Sequence, residues 1–263
     1  MKILGISRAH RFSPDAVDKD ESIFRAVCEL LEKKGCECCR YDENDVIVQK
    51  PDFKQFDLVF SMARDKKTLS LLADEERKGL RIVNSPLVLL LNTRDVMFDK
   101  FFKAGLPVPH NSCISTEEDV SLSESLNFPL WVKRCDECTQ QEGDVRLVHN
   151  RSELHSALQH YASRGIRRVL LCRHIPGKVL KFYGVRGTGF FYVVSKKGVS
   201  IDENVLKNRA EYAADLCNIT VYGGDVVVNN DGFFIIDFND WPSFSACREA
   251  AAEAVVNCLL SEK

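Results

Sequence analysis

The chain has 263 residues, 45% of them hydrophobic, and its 36 lysines and arginines against 38 acidic residues leave a net charge of −2. That apolar share excludes a disordered chain. The even charge balance argues against the basic footprint of a nucleic-acid binder and against a polybasic membrane anchor. No stretch approaches the roughly 18–20 apolar residues of a membrane span, and the opening MKILGISRAHRFS reads as a buried strand followed by charged residues, not as a secretory signal. A cytoplasmic protein with no nucleic-acid or membrane partner is expected.

The first third alternates strand-length and helix-length patterns. KILGIS (2–7) is a mostly apolar run, and ESIFRAVCELLEKKG repeats apolar residues at Ile23, Phe24, Val27, Leu30 and Leu31 before stopping at Gly35. FDLVFSM (56–62) and RIVNS (81–85) are further buried strands separated by the helical TLSLLADEERKG. Such alternation implies right-handed βαβ units and a parallel sheet over residues 1–90.

TRDVMFDKFFKAGLPVP follows as a helix that ends at Gly105 and runs into a Pro-punctuated extended segment. FPLWVKR (128–134) and DVRLVHN (144–150) are expected to pair antiparallel across the polar loop CDECTQQEG, and SELHSALQHYASRG reads as a helix with Ser152 as N-cap and Gly165 as stop. RRVLLCRHIPG supplies a strand and a turn, KVLKFYGVRGTGFFYVVSKKG a long hairpin, and NRAEYAADLC a helix. GGDVVVNNDGFFIIDFND is a hairpin about Asn230-Asp231-Gly232, and ACREAAAEAVVNCLL is a closing helix.

Eleven cysteines are present. Cys28, Cys172, Cys217 and Cys258 sit in core-like apolar runs, where a thiol behaves as a small hydrophobe. The Cys36, Cys38, Cys39 cluster and the Cys135–Cys138 pair are the only suggestive spacings. Neither has the second CxxC or His pair that would close a structural zinc site, so reduced thiols are expected.

The chemistry concentrates in the last hairpin. Asp225 opens its first strand and Asp237 lies near the end of its second, so the turn brings them side by side. Asn239, two residues on, shares the face of Asp237 by strand alternation. Two carboxylates and an amide carbonyl form a hard-oxygen set suited to Mg²⁺ with nucleotide phosphates. Solvated strand-end acids are the plain alternative, but Asp237 inside FFIID would then be a poorly compensated charge. Lys133, at the end of the apolar strand PLWVKR, can reach phosphates as a point charge or simply snorkel. Arg94 is open to the same two readings, and Lys181, after IPGKVL, is a third cation, on a strand and not on a loop.

These pieces, in this order, resemble the ATP-grasp superfamily: an α/β pre-domain, a helix leading into AGLPVP, the lysine-bearing strand FPLWVK, the hinge LLCRHIPG, then KVLKFYGV, and the closing GGDVV…FFIIDFNDWPSF. The resemblance covers about residues 80–260, and RimK-type glutamate ligases and the inositol-phosphate kinases of this fold are similar in flavour. It implies a small parallel-sheet pre-ATP-grasp domain (1–90), then a two-subdomain ATP-grasp fold of α+β character with a central subdomain (91–175) and a C-terminal subdomain carrying the metal site (176–263).

It also implies roles. Asp225, Asp237 and Asn239 would hold Mg²⁺, or alternatively Mn²⁺, on the phosphates of ATP. Lys133 would contact the α-phosphate, and Arg94 stands where many members carry a second phosphate-binding lysine. The backbone at Arg173, His174 and Ile175 would meet the adenine edge, and Lys181 would face the reacting phosphoryl group. Lys207, Asn208 and Arg209 are candidates for substrate anchoring, Arg209 with a catalytic part; a solvated helix start fits them as well. Arg8, His10 and Arg11 follow a parallel strand's carboxyl end, where anions can bind, although a merely polar loop fits equally.

The chain departs from the family pattern in its lid CDECTQQEGD, whose single glycine is Gly143, in Arg173 at a hinge position often acidic, and in YGGD, which lacks the arginine that amino-acid ligases often place before the first metal acid. Asp237 stands where Glu is commoner, as in the kinase branch. The expected activity is an ATP-dependent ligase joining a small-molecule or peptide carboxylate to an amine through an acylphosphate. A small-molecule kinase and a non-catalytic ATP-binding protein are the alternatives.

Overall fold

The computed structural model describes residues 1–13, 16–118, 122–135 and 143–261. Pro14, Asp15, Cys138 and most of the loop between Cys135 and Asp144 lie outside the described residues. The chain folds as two compact units, each discontinuous in sequence: residues 1–91 with 180–225 and 237–263, and residues 92–179 with 226–236. The division expected from sequence was into consecutive segments; the compact units are not consecutive.

The first unit begins with β1 (Lys2–Ser7), α1 (Val17–Lys33), β2 (Glu37–Asp42), α2 (Glu43–Gln49), β3 (Leu58–Ser61), α3 (Lys66–Arg77), β4 (Ile82–Val83) and α4 (Pro86–Leu91). The four strands form a parallel sheet in the order β2-β1-β3-β4. Strand alternation divides the side chains between two cores. Ile3, Leu58 and Phe60 join Ile23, Val27, Cys28 and Leu31 of α1, whereas Leu4, Ile6 and Val59 join Val46, Phe53 and Leu72 on the other face. β2 has no apolar periodicity, and its polar sequence is tolerated because it lies at the sheet's edge.

The second unit contains α5 (Arg94–Lys103), β5 (Asn111–Ser115), β6 (Leu130–Arg134), β7 (Val145–Val148), α6 (Arg151–Ser163) and β8 (Arg168–Arg173). Its antiparallel sheet has the order β5-β8-β6-β7, with Leu130 opposite Val148 in the expected β6–β7 pair. Leu130, Val132, Val169 and Leu171 pack on Leu154, Leu158 and Tyr161 of α6. The Tyr161 hydroxyl donates to the Val132 carbonyl at 3.1 Å, and burial pushes its pKa up to about 12. The N-cap of α6 is Asn150, not Ser152. Its side chain accepts from the Glu153 N–H at 2.9 Å while the Glu153 carboxylate accepts from the His149 N–H at 2.8 Å, a reciprocal box that starts the helix earlier.

The chain continues through β9 (Lys178–Val185), β10 (Phe190–Val194), α7 (Glu203–Cys217), β11 (Val221–Asn229), β12 (Gly232–Asp240) and α8 (Arg248–Leu260). These strands form a third sheet in the order β10-β9-β11-β12. α7 starts at Glu203, with Asp202 accepting from the N–H groups of Asn204 and Val205. Lys207, Asn208 and Arg209 therefore lie within the helix and are not a helix start. Ala251, Val255 and Leu259 of α8 complete the α1 side of the first unit's core.

Candidate functional site

β9, β11 and β12 carry the acidic cluster of the first unit. Asn239 Nδ2 donates to Asp237 Oδ2 at 3.0 Å, so these two residues project from one strand face. Lys181 Nζ on β9 donates to Asp225 Oδ1 on β11 at 3.1 Å. Burial works against the charged Lys181, yet the Asp225 carboxylate, with Asp237 also close enough to act, raises its pKa above the ordinary 10.5. One ammonium thus answers two carboxylates, and its side chain remains 58% exposed.

The strands approach each other here closely enough to require glycine. A Cβ at Gly224 would stand 2.3 Å from the Asp237 carbonyl oxygen and 2.6 Å from the Phe182 ring, and one at Gly223 would stand 2.9 Å from the Phe182 carbonyl. The GG of YGGD is therefore a packing requirement of the strand that delivers Asp225.

A buried polar frame holds the end of β12 within this unit. Asp240, 4% exposed, pairs with Arg64 Nη2 at 2.5 Å. Arg8 donates to the Trp241 carbonyl at 2.9 Å, to Asp20 at 2.8 Å and to the Met62 carbonyl at 3.2 Å. The fully buried Glu43 carboxylate accepts from the N–H groups of Ala9, Arg64 and Asp65 at 2.5, 2.8 and 2.8 Å, tying the loops after β1 and β3 together. Asn84 accepts from the N–H groups of Thr220 and Val221 at 2.8 Å each and donates to the Val221 carbonyl at the same distance, which fixes the start of β11. Sequence reasoning passed over Asp240, Glu43, Arg64 and Asn84. Only Asp240 had a signal, because alternation puts it on the face opposite Asn239.

In the second unit, Lys133 and Trp131 project from the β6 face opposite the α6 core. Lys133 is buried, and its Nζ donates to the Ile236 carbonyl at 2.7 Å. A buried ammonium with a carbonyl acceptor is held in place but keeps two further N–H donors to offer. Arg94 opens α5, and its Nη1 donates to the Arg134 carbonyl at 2.8 Å. At the end of β8 the N–H groups of Arg173 and His174 donate to the carbonyls of His110 and Pro129. The Ile175 N–H has no partner among the described residues. His174 Nδ1 accepts from Trp131 Nε1 at 3.0 Å.

Lys181, Asp225, Asp237 and Asn239 gather within the first unit, and Lys133, Arg94 and the 173–175 turn belong to the second. Arg209 is exposed on α7, and Lys207 donates to the Gly189 carbonyl at 3.0 Å. Arg8 is occupied by its frame contacts, whereas Arg11 pairs with Asn44 and Asp65 at the surface.

No family model matches the sequence, and a search of curated proteins finds no match. Solved structures do match. D-alanine–D-alanine ligase from Bacillus anthracis complexed with ATP is 14% identical, with 99% of this chain and 97% of that chain covered and a TM-score of 0.72. The same enzyme in a second structure is 13% identical at equal coverage, with a TM-score of 0.73. A RimK-domain ATP-grasp protein from Sphaerobacter thermophilus is 17% identical over 99% of this chain and all of that one, with a TM-score of 0.76. The chain has the ATP-grasp fold.

Proposed function

We propose that this protein is an ATP- and Mg²⁺-dependent ligase that activates a carboxylate as an acylphosphate and passes the acyl group to an amine. The supporting observation is the Lys181–Asp225–Asp237–Asn239 cluster on β9, β11 and β12 of an ATP-grasp fold, with Asp225 in the middle of β11 and not at its start as expected from sequence. The donor set of two carboxylates and an amide is all oxygen, which fits a hard divalent cation. Asn239 would turn its amide oxygen toward the ion, since amide O and N differ only by a rotation.

When bound, Mg²⁺ would neutralise charge on the ATP phosphates, with Asp225, Asp237 and Asn239 holding it. Lys181, with its raised pKa, stays cationic near neutrality and would offset negative charge on the phosphoryl group in flight. Lys133 would give its spare donors to a phosphate oxygen. The 173–175 turn would meet the adenine edge through the Ile175 N–H, and Arg94 would act on the phosphates from the start of α5. Arg209 would anchor the carboxylate or amine substrate.

The test is Mg²⁺-dependent release of ADP and phosphate from a panel of carboxylates, each with and without amines. Amine-dependent release is expected, and Asp237→Ala or Asn239→Ala is expected to abolish it in a folded protein. A phosphorylated product formed without amine would replace the ligase by a kinase, and undiminished turnover in either variant would remove the metal assignment.

A further inference from the structure

One face of the second unit's sheet holds a cluster that the acidic site does not use. Cys113 on β5 and Cys135, just beyond β6, bring their Sγ atoms to 3.2 Å, and a carboxylate oxygen of Asp95 on α5 lies within 4.8 Å of both sulfurs. Asp95 and Cys135 are buried, and Cys113 is partly buried. We propose that Asp95, Cys113 and Cys135 form a zinc site with three protein ligands and a fourth position open to water.

The geometry favours an ion over a disulfide. β5 and β6 lie on opposite sides of β8, so the two backbones are not direct neighbours in the sheet. Both cysteines are pinned by their backbones: Cys113 pairs opposite Leu170, the Cys135 N–H donates to the Arg168 carbonyl, and the Cys135 carbonyl accepts from the Arg94 N–H. Tetrahedral zinc with arms of about 2.3 Å sets its sulfurs about 3.8 Å apart. For zinc the sulfurs would have to part by only about 0.6 Å, whereas a disulfide of about 2.05 Å would have to draw them about 1.2 Å closer between two pinned backbones.

The third group also points to a cation. Asp95 is held by what would be an outer shell: Oδ1 accepts from Thr93 Oγ1 and Oδ2 from Arg168 Nη2, both at 2.7 Å. Each carboxylate oxygen keeps a second lone pair for a metal, and such partners orient ligating acids in known sites. Two thiolates, one carboxylate, a divalent ion and the Arg168 guanidinium sum to no net charge. That neutrality suits a largely buried position.

The experiment uses the full chain, purified under reducing conditions without chelator. Zinc per chain is measured by elemental analysis, and the stripped protein is then titrated with Co²⁺. About one zinc per chain and a thiolate-to-cobalt charge-transfer band are expected. Cys113→Ser and Cys135→Ser should lose both, Asp95→Asn should weaken zinc binding about tenfold or more, and Cys39→Ser should change neither. The wild-type stoichiometry and spectrum decide the matter even if a variant fails to fold. Absence of zinc together with no thiolate band would overturn the site. So would full zinc retention in Cys113→Ser, or a wild-type mass two hydrogens low that a reductant restores.

Discussion

Replacing Gly224 with alanine asks whether the close strand approach is what presents the acidic residues. The added Cβ would sit 2.3 Å from the Asp237 carbonyl oxygen and 2.6 Å from the Phe182 ring. Ordinary contact begins near 3.4 Å, so β12 or β11 must yield by about 1 Å. The nearest obstacle is backbone inside a hydrogen-bonded sheet, and rotating a side chain cannot relieve it. Overpacking of this kind costs about 3 kcal/mol, the upper end of its usual range, or a fall in Tm of about 6–12 °C for a chain of this size. The displacement falls on Asp237 itself, and a misplacement of about 1 Å can cost about 100-fold in rate. Thermal unfolding and Mg²⁺-dependent ATP turnover read the two effects separately. A variant with wild-type Tm and turnover would show that β11 and β12 are not held as close as the structure has them, and the account of the site would fail with it.

The buried frame gives independent tests. Glu43→Ala orphans one buried N–H donor, at Ala9, at about 1–3 kcal/mol, and two partly buried ones, at Arg64 and Asp65, so hydrogen exchange at Ala9, Arg64 and Asp65 should accelerate together; unchanged protection there would contradict the assignment. Arg64→Ala leaves the Asp240 carboxylate buried without its cation and should destabilise by about 3–5 kcal/mol, measured by urea unfolding, while a loss under about 1 kcal/mol would mean that water reaches Asp240. Lys181→Met should do the reverse of these, because a pair this exposed contributes under about 1 kcal/mol: stability nearly unchanged, ATP turnover lost. The raised Lys181 pKa places its contribution below the ordinary 10.5 and removes it only as pH climbs past the folded value. The Lys181→Met stability difference should therefore be flat from roughly pH 6 to 9, and a difference that changes sign in that window would refute the pairing.

What could be read from the sequence was local. The shared face of Asp237 and Asn239, the stop at Gly165 and the β6–β7 pair follow from alternation, turn chemistry and periods that a short window contains, whereas Asp225 lies in the middle of β11 because that strand begins earlier, at Val221. β2 escaped because an edge strand need not be apolar on either face, and ECCRYD shows no period. The cap falls at Asn150 and not at Ser152 because of the reciprocal Glu153–His149 contact, which depends on where the backbone turns. The frame residues are less legible still. Glu43 is separated by 34 residues from the Ala9 amide it accepts from, and Asn84 by 137 from Val221. Burial makes such polar contacts expensive to leave unmade, but nothing in the neighbourhood of either residue announces its partner. The Asp95, Cys113 and Cys135 cluster has the same character: three donors with no mutual spacing rule, brought together because β8 lies between β5 and β6. A period-two pattern can predict which face a thiol occupies, whereas only the strand order decides which other thiol it meets there.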